Sequence, residues 1–571
     1  MSKIDSANYI ITFDGANYTD RHSLPYWSET FFDNALSEKV NISNCKFSAL
    51  SQSEKLLIDA LKINIPAIIT PLSTKVTNRK QTGIHVEIIP FIRDSATNQV
   101  LKLASFSIQF TENDKPEAVI SKTYASSSVL SKGNWYKLAV TQTGMHRLGY
   151  SDLAGMGINP STINPAHIGI FGRGGTMLPE PNEQFRADDL PENAIEVTGQ
   201  ADGTFDQGDY IVFYAQGPTS WQYNNLKQMW EHIPHLYADT ISYFLSPDQG
   251  TGKRIPSKAS SAETATDNVD AYDFYTTFDE NDFNLLKSGR QWFSQVFDVI
   301  TNRSYPFDIP ALASDGEVKV RSVSAAKSIN ASSFEFTIGT QTWTVPHTAI
   351  STYDNSPVAT GAVAYKTLLS VTLPLKIDTR YIRTSSSSAG YLDLLDINAR
   401  CTLKFTNGQL HFRDSRSFGT GNTALYRVNG AAGKAKIWDV TNPVSAYAVN
   451  AETDGNDLVF KIMADTLRQL VAFDGTDFLT PRFIHKIQNQ DLHASKGADM
   501  VIVAPQQFMA QAVRLANFHS AATDLDVLVL DPTTIYNEFS SGTVDITAIR
   551  DFMKMLYDRA STDKMPKYLL L

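Results

Sequence analysis

Alternation of apolar and polar residues is the main pattern along roughly the first 480 residues of this chain. A period of two residues is typical of half-buried β-strands. It predicts strands at 9–13, 85–92, 101–110, 135–140, 168–171, 210–214, 318–323, 333–338, 369–375, 392–405 and 458–462. A short helix is predicted near 151–156. The pattern therefore predicts a multidomain, mainly β chain with sandwich-like domains.

The pattern changes near residue 500. Continuous apolar runs at 500–504 and 525–530 indicate strands buried on both faces, and helical spacing appears at 508–518 and 546–557. Asp545 is the predicted cap of the second helix, and 568–571 begins a third strand. These elements predict the opening β-α-β-α-β part of an α/β domain with a parallel sheet. We expect strand 568–571 to lie at a sheet edge and to favour self-association.

The length of 571 residues is too great for one hydrophobic core. The changes in pattern predict four domains: an amino-terminal β domain at 1–125, a β-rich accessory domain at 126–260, a second β-rich domain at 261–480, and the incomplete α/β domain at 481–571. The Ser/Ala/Thr-rich stretch 257–267 is predicted to be a linker or long loop. No fixed-period repeat supports a propeller or solenoid.

Charge and hydropathy indicate which partners and which cellular locations are expected. The net charge is −10 and no Lys/Arg cluster is present, so nucleic acid is not an expected partner. No run of eighteen apolar residues occurs, and the first residues lack the apolar segment of a signal peptide. Either the protein is cytoplasmic, or a leader was removed or lost.

Two cysteines, Cys45 and Cys401, are too few for a disulfide framework or a Cys-rich metal site. Odd positions are apolar and even positions polar through 397–405, so Cys401 is predicted to point into the core of a half-buried strand. A buried thiol in apolar surroundings is inert.

Three motifs invite a functional interpretation. The glycines in 171–180 lack a following Gly-Lys-Ser/Thr, and Pro179 opposes a phosphate-binding helix start, so a turn with positive φ is favoured.

Asp202, Asp206 and Asp209 are weak calcium candidates, since Gln207 stands where an EF-hand has its glycine and a solvated turn explains them as well.

His232 and His235 have His-x-x-His spacing, but Pro234 forbids a regular helix, so two independent histidines are favoured over a metal site. The zinc-protease and nucleophile-elbow motifs are absent from the sequence. No catalytic set is complete, and no cofactor or metal is expected beyond the calcium alternative.

Several segments together resemble the sortases of the type IX secretion system of Bacteroidetes, whose peptidase domain is of the gingipain type. The resemblance runs from about residue 130 to the end and is carried, in the same order and spacing, by 135–140 with 143–148, 170–180, 202–214, 288–293, 535–542, Asp545, 548–552 and 566–571. Residues 1–125 match the family only in position and β character.

The resemblance implies a caspase-like cysteine peptidase domain whose catalytic His and Cys follow the third strand. Neither Cys45 nor Cys401 matches those places, so no catalytic residue is carried over and the dyad is expected downstream of Leu571. The implied activity is removal of the carboxyl-terminal secretion signal from exported cargo, through a thioester, with attachment of the cargo to the cell surface. This chain alone is then expected to be inactive.

Implied partners are cargo proteins with carboxyl-terminal signal domains, an outer-membrane barrel of the secretion system and a lipopolysaccharide acceptor. The implied location is the cell surface, associated with the outer membrane. An alternative from another class is a non-catalytic surface or assembly module that binds cargo, lipopolysaccharide or an outer-membrane partner.

Overall fold

The structure is a computed structural model that describes residues 2–3, 9–10, 13–18, 24–33, 36–61, 65–112, 123–314, 316–353, 356–561 and 564–571. It forms two compact units, the first made of residues 1–123 with 497–499 and 557–567, and the second of the remainder. Strands predominate throughout the second unit until its last segment, which confirms the predicted fold class. No helix in the described ranges is both long and apolar enough to span a membrane.

The first unit contains two antiparallel three-stranded sheets. One has the order Trp27–Phe32, Gln81–Ile88, Leu72–Asn78, and the other the order Leu36–Ala49, Val100–Glu112, Phe91–Arg93. Ile84, Val86 and Ile88 of the first sheet form a core that packs against apolar side chains of the second, including Leu103 and Phe106. This is the predicted β-sandwich. Helix Gln52–Leu61 and the strand pair Ser2–Lys3 and Tyr9–Ile10 complete it, and positions 11–12 of predicted strand 9–13 lie outside the described residues.

The second unit opens with two packed sheets. A five-stranded sheet has the order Glu192–Asn193, Gly169–Phe171, Ile241–Ser246, Trp135–Val140, Arg482–Ile487, and a three-stranded sheet the order Gly144–Gly149, Tyr210–Ala215, Ile195–Thr198. Alternate residues of their strands, such as Leu138, Phe213 and Tyr243, make one buried core. Helix Tyr150–Gly155 confirms the predicted helix, and short 3-10 turns lie at Val129–Ser131, Pro160–Thr162, Pro165–His167 and Gln200–Asp202.

The middle of the second unit is a large β assembly around one extensive core. It contains four sheets. The strand order of the first is Ala271–Phe278, Ala389–Thr402, Val318–Lys327, Thr360–Leu368, and that of the second is Asn302–Phe307, Leu375–Ile382, Ser332–Ile338, Gln341–His347. The strand order of the third is Ser257–Ala259, Tyr447–Asn450, Lys436–Asp439, Leu470–Phe473, Gln409–Phe412, and that of the fourth is Asp267–Val269, Thr423–Val428, Asp457–Met463, Glu452–Asp454. Strand Gln295–Phe297 also pairs with Ala389–Thr402, and Pro443–Ser445 is a 3-10 turn.

A hairpin of strands Thr219–Asn224 and Met229–Pro234 lies over the outer face of strand Ala389–Thr402. Cys401 and its odd-numbered neighbours are buried, as the alternation predicts. Of the polar even positions, Asn398 and Arg400 are buried as well, whereas Thr402 is half-buried and Lys404 is exposed. Asn398 donates its side-chain amide to Trp230 O at 2.9 Å and accepts from Trp230 N at 2.5 Å. The prediction is therefore confirmed for the inward side of the strand, and it is wrong for the second face at Asn398 and Arg400, which the structure buries among hydrogen-bonding groups rather than apolar ones.

The carboxyl-terminal segment forms the predicted parallel sheet, with strand order Val527–Leu530, Met500–Val503, Tyr568–Leu570. Its helices are Met509–Thr523, preceded by the 3-10 turn Gln506–Phe508, then Pro532–Phe539 and Thr547–Arg559. Ala512 and Ala516 of the first helix pack on Met500, Ile502 and Ala504. Val501 and Val503, on the opposite face, are also buried, which accounts for the continuous apolar run in the sequence.

Three other details differ from the sequence expectations. Predicted strand 369–375 is wrong, since the chain there is a connection between strands Thr360–Leu368 and Leu375–Ile382. Stretch 257–267 is not wholly a linker, because its ends form the edge strands Ser257–Ala259 and Asp267–Val269, which pair in parallel with later strands. Helix Pro532–Phe539 was not predicted, because its apolar positions span only two turns.

Candidate functional site

The carboxyl edge of the parallel sheet is the place where the fold can form a site. The chain runs from the central strand Met500–Val503 to Val527–Leu530 on one side and then returns to Tyr568–Leu570 on the other. The strand order therefore reverses between Met500–Val503 and Tyr568–Leu570. In open parallel sheets, ligands bind outside the carboxyl ends of the strands at such a reversal.

An apolar pocket of about 320 Å³ lies at that reversal. Its walls come from the end of the central strand, the start of the first helix and the end of the third strand, with Pro505, Phe508, Leu515, Leu570 and Leu571 among the lining residues. None of the described residues that line it is a cysteine or a histidine. The pocket can hold an apolar group, and its lining supplies no nucleophile or base.

Two aspartates fix the helices behind this edge. Asp531 follows the second strand and accepts from Thr533 N at 2.8 Å, which caps helix Pro532–Phe539. Asp545 accepts from Thr547 N at 2.9 Å, as the sequence predicts, and its other oxygen accepts from Leu178 N at 2.7 Å. Asp545 is buried. One carboxylate thus caps the second predicted helix and ties it to a distant loop.

That loop, residues 172–190, is referred to below as the strap. Gly172 and Gly174 have φ of 151° and 94°, which confirms the predicted positive-φ turn. The carbonyl oxygens of Pro179 and Glu180 accept hydrogen bonds from Arg550, at 2.9 Å for Pro179. The glycine-rich motif therefore shapes a loop that binds helix Thr547–Arg559.

The strap also contributes a buried ion pair. Arg186 donates to Asp551 of helix Thr547–Arg559, and the two side chains are 6% and 8% exposed. A buried guanidinium or carboxylate is costly unless its charge is paired. The pair therefore fixes the strap and the helix to each other.

A second buried charge pair joins His493 and Glu538. His493 Nδ1 donates to Glu538 Oε2 at 2.6 Å and Nε2 donates to Asp188 O at 3.1 Å, with both His493 and Glu538 side chains fully buried. Burial alone would lower the pKa of His493, but the hydrogen bonds to Asp188 and Glu538 and the charges of Asp189 and Glu538 raise it to about 10. His493 is therefore an imidazolium at neutral pH.

The carboxylate of Glu538 accepts several hydrogen bonds besides the one from the His493 ring. It also accepts from Leu492 N at 2.7 Å, His493 N at 3.1 Å and Gln490 Nε2 at 2.9 Å. This environment suits a permanent ion pair rather than a group that exchanges protons with a substrate. His493 is thus a structural clamp on helix Pro532–Phe539.

A buried lysine on the five-stranded sheet contacts the same region. Lys137 Nζ donates to Gly542 O at 2.8 Å and to Asn537 Oδ1 at 3.2 Å, and burial lowers its pKa to about 8. Ser242 of the adjacent strand donates through Oγ to Gly542 O at 3.0 Å. The β sheet and the α/β segment therefore share a continuous polar interface.

The calcium candidates lie in one turn, where their carboxylates are engaged by the turn itself. Asp202 accepts from Thr204 N at 3.0 Å, Asp206 accepts from Thr204 Oγ1 at 3.0 Å, and Asp209 accepts from Asp206 N at 2.8 Å. The hydrogen bonds from Thr204 lower the pKa of Asp202. Within the described ranges, no group of three or more His, Cys, Asp or Glu side chains is arranged to hold a metal. Calcium binding stays a prediction.

The paired histidines are independent, as the sequence favours. His232 is buried with Nδ1 3.3 Å from Asp279 Oδ2, while His235 contacts Tyr237. Cys401 is fully buried, and burial raises the pKa of its thiol to about 12. Cys45 lies in the first unit, half-buried in strand Leu36–Ala49. Cys401 belongs to the core of the middle β assembly and not to the parallel sheet.

Sequence reasoning missed the residues that hold the α/β segment in place. Arg186 and Asp551, or His493 and Glu538, are far apart in the chain, and each alone resembles an ordinary surface charge. Asp545 carried a signal, because it directly precedes a helical apolar pattern. The short-range signal identified the cap, and only the fold reveals the long-range partner Leu178.

Comparisons with known proteins agree with this geometry. Residues 493–571 match the model of Peptidase family C25. The crystal structure of dimeric latent PorU from Porphyromonas gingivalis is similar with a TM-score of 0.69 and 24% identity, over 78% of this chain and 42% of that chain. The resemblance inferred from the sequence is thereby confirmed at the level of the peptidase segment and the fold.

Two further comparisons concern another solved structure and the curated proteins. An exo-β-1,3-galactanase from Phanerochaete chrysosporium aligns over 63% of this chain and 69% of its own, with 12% identity and a TM-score of only 0.14. No curated protein matches the sequence. The chain is thus similar in fold to PorU and covers less than half of the PorU chain that it matches.

Proposed function

We propose that this chain is the amino-terminal part of a sortase-like cysteine endopeptidase that removes the carboxyl-terminal secretion signal of type IX cargo and attaches the cargo to the cell surface. The observation that carries the proposal is the combination of a Peptidase family C25 match at 493–571 with a PorU-like fold over most of the chain. C25 is a family of cysteine peptidases.

The role of this chain in that function is to build the base of the peptidase domain. Asp545, Asp551 and Glu538, all within the matched segment, are bound by the strap and by His493. These contacts fix the helices that flank the parallel sheet, so the carboxyl edge of the sheet has a defined geometry. Pre-organised positions are what a nucleophile and its base require.

The chemistry follows from the family. A thiolate attacks the scissile carbonyl and the C–N bond breaks to leave a thioester, which an amine of lipopolysaccharide or water then resolves. A paired imidazole moves the protons and backbone N–H groups hold the oxyanion. Cys401 is unsuited to this role, because its thiol is buried and its pKa is raised. We assign the dyad to the part of the PorU-like protein that this sequence does not include.

We also propose partners and a location for this protein. The partners are cargo proteins with carboxyl-terminal signal domains, an outer-membrane barrel of the secretion system and the lipopolysaccharide acceptor. The location is the cell surface, associated with the outer membrane. No nucleic acid is involved, in keeping with the net charge of −10.

The test compares the full gene product with residues 1–571. Each is incubated with a purified cargo protein that carries its signal domain, and mass spectrometry identifies the cleaved ends. We expect thiol-dependent cleavage by the full gene product, blocked by iodoacetamide, and none by residues 1–571. Cargo binding without cleavage by the full product would instead favour the non-catalytic assembly module. Thiol-dependent cleavage by residues 1–571 alone would show that the dyad assignment is wrong.

A matched pair of variants in the full gene product tests the scaffold role. Asp551→Asn removes the charge that pairs with Arg186, and Asp239→Asn makes the same change at an exposed position. We expect cleavage to fall in the first and to be unchanged in the second. Equal activity in both would contradict the scaffold role and leave the peptidase assignment intact.

A further inference from the structure

A cavity of about 730 Å³ lies in the second unit and shares no lining residue with the pocket at the parallel sheet. It is bounded by the first strand of the hairpin, by strands Ala271–Phe278 and Gln409–Phe412, by the segment 141–143 and by Thr176 of the strap. Its size is within the range of pockets that bind small molecules. The proposed peptidase function does not use it.

The cavity has an unusual electrostatic character. Arg413 is its one charged lining residue in the described part of the chain, and no Asp or Glu lines it. His411 also lines it, but burial and the neighbouring Arg413 lower the pKa of this histidine to about 3, so it is neutral. The cavity is thus positive within a chain whose net charge is −10.

Arg413 is buried without a carboxylate partner. The residue is 4% exposed, its Nε donates to Gln469 Oε1 at 2.8 Å, and its Nη1 reaches Asp273 O only at 3.5 Å. No ion pair and no Nη2 hydrogen bond of Arg413 occurs among the described residues. Its guanidinium lies over the ring of Tyr275, 4.2 Å from the centroid. The guanidinium group of Arg413 is therefore oriented by stacking on Tyr275 and by its hydrogen bond to Gln469 rather than by an anion.

Neighbouring carboxylates are already occupied. Asp273 and Asp414 both accept from Arg400, at 2.9 Å and 2.6 Å, and Asp273 also accepts from Ser415 N at 2.8 Å. Arg400 carries one positive charge against these two carboxylates, so one negative charge remains in the cluster, but neither carboxylate group hydrogen bonds to Arg413 and neither residue lines the cavity. Buried charges in proteins are normally paired, since desolvation of a lone ion is costly.

The rest of the lining suits the body of a small ligand. Trp221, Phe274 and Tyr275 contribute aromatic surface, and Gln142, Gln216 and several threonines contribute amide and hydroxyl groups. Apolar surface with a few placed polar groups is the usual composition of a ligand pocket. An arginine fork binds a carboxylate or a phosphate through two parallel hydrogen bonds.

We propose that this cavity binds a small organic anion, whose carboxylate or phosphate is held by Arg413 and whose apolar body contacts Trp221, Phe274 and Tyr275. The site is independent of the proposed peptidase. The ligand completes the hydrogen bonding of Arg413 and supplies the negative charge that the lining lacks.

The test uses the purified chain and isothermal titration calorimetry with four probes: benzoate, phenyl phosphate, inorganic phosphate and the neutral benzamide. We expect benzoate or phenyl phosphate to bind with one-to-one stoichiometry, more weakly at high salt, and benzamide at least tenfold more weakly. Stronger binding of phenyl phosphate than of benzoate identifies a phosphate ligand, and the reverse order a carboxylate. Binding of inorganic phosphate as tight as that of phenyl phosphate shows an anion site but overturns the assigned role of the aromatic surface.

Three variants separate the site from folding effects. Arg413→Met removes the charge and is expected to lower affinity at least tenfold. Gln142→Glu places a carboxylate in the lining without touching Arg413, and is expected to have the same effect. Gln507→Glu adds the same charge at an exposed position outside the cavity and is expected to bind normally. Equal binding of benzamide and benzoate, unchanged binding by Gln142→Glu, or no binding of any anion would overturn the proposal.

Discussion

Single buried charges decide how firmly the Peptidase C25-like segment is held. Arg186 and Asp551 form a buried pair, and removal of one partner leaves the other charged and desolvated. We therefore expect Asp551→Ala to lower the free energy of unfolding by about 3–5 kcal/mol, the range found for broken buried pairs. Urea unfolding followed by circular dichroism measures the change.

The double variant Arg186→Met with Asp551→Leu provides the control. Replacement of both charges by apolar side chains of similar size leaves no buried ion unpaired, so most of the lost stability should return. Arg550 also loses its 3.1 Å contact with Asp551, but its side chain is 36% exposed and remains solvated. A double variant as unstable as Asp551→Ala would mean that the hydrogen bonds of Arg186 to the carbonyl oxygens of Pro181 and Gln184 within the strap, rather than its charge, stabilise this interface.

His493 gives a pH dependence with a defined sign. Its pKa is about 10 in the folded chain against an ordinary value of 6.5, so the folded state binds the proton more tightly. Its contribution to stability is complete below about pH 6.5 and is lost as the pH rises towards 10. We expect the difference in unfolding free energy between the wild type and His493→Gln to shrink steadily across that interval.

Lys137 acts with the opposite sign, because its pKa falls to about 8 in the folded chain. Its effect is the same in the wild type and in His493→Gln, so the difference between them isolates the histidine. NMR of the imidazole provides a second measurement, with a protonated ring expected at pH 8. A ring that titrates near pH 6.5 would contradict the clamp.

At the scale of elements, the hairpin Thr219–Pro234 depends on polar contacts with the strand beneath it. Asn398 binds both the N–H and the C=O of Trp230, as a paired strand would. Each hydrogen bond contributes about 1 kcal/mol, and a buried group left unpaired costs more. We expect Asn398→Ala to lower the hydrogen-exchange protection of amides in Met229–Pro234 about tenfold, given roughly 1.4 kcal/mol per factor of ten.

Asn225→Ala is the matched control, since Asn225 is exposed in the turn of the same hairpin. Protection within strand Val318–Lys327 should be unchanged in both variants. A uniform loss of protection across the sheet would indicate global destabilisation rather than release of the hairpin.

Elements were predictable from the sequence where one periodicity persisted. The alternation identified strands such as Trp135–Val140, and the apolar runs identified Met500–Val503 and its neighbours. It failed at 369–375, where Leu369 and Leu373 are exposed in a connection, so apolar residues there do not report burial. It also missed the burial of Asn398 and Arg400, because a polar cover leaves no periodic signal in the strand that it covers.

The sequence predicted the class of protein to which the candidate site belongs, but not the residues that come together around it. Motif order indicated the peptidase family, and the alternation placed Cys401 in the core, away from any catalytic role. The Arg413 cavity and the His493 clamp bring together residues from distant segments of the chain. Such sites depend on pairing between segments far apart in the chain, which local patterns do not encode.

At the scale of the whole molecule, we expect the edge of the parallel sheet to govern association between chains. Among the described strands, Tyr568–Leu570 pairs only with Met500–Val503, and Tyr568, Leu569 and Leu570 are 55%, 42% and 40% exposed. Phe508 and Leu515, which line the adjacent pocket with Leu570, are also exposed. An exposed strand edge beside apolar surface favours pairing between chains.

We therefore expect the purified chain to self-associate with increasing concentration in sedimentation velocity experiments. Leu569→Lys should shift it towards the monomer, because a charge on an edge strand opposes edge-to-edge pairing. Leu226→Lys is the matched control, since Leu226 is 93% exposed in the hairpin turn, away from this sheet. If both variants associate like the wild type, another surface is responsible, and a strictly monomeric wild type would contradict the expectation. Because pairing would occupy the strand beside the 320 Å³ pocket, hydrogen exchange at Leu569 and Leu570 should slow with association.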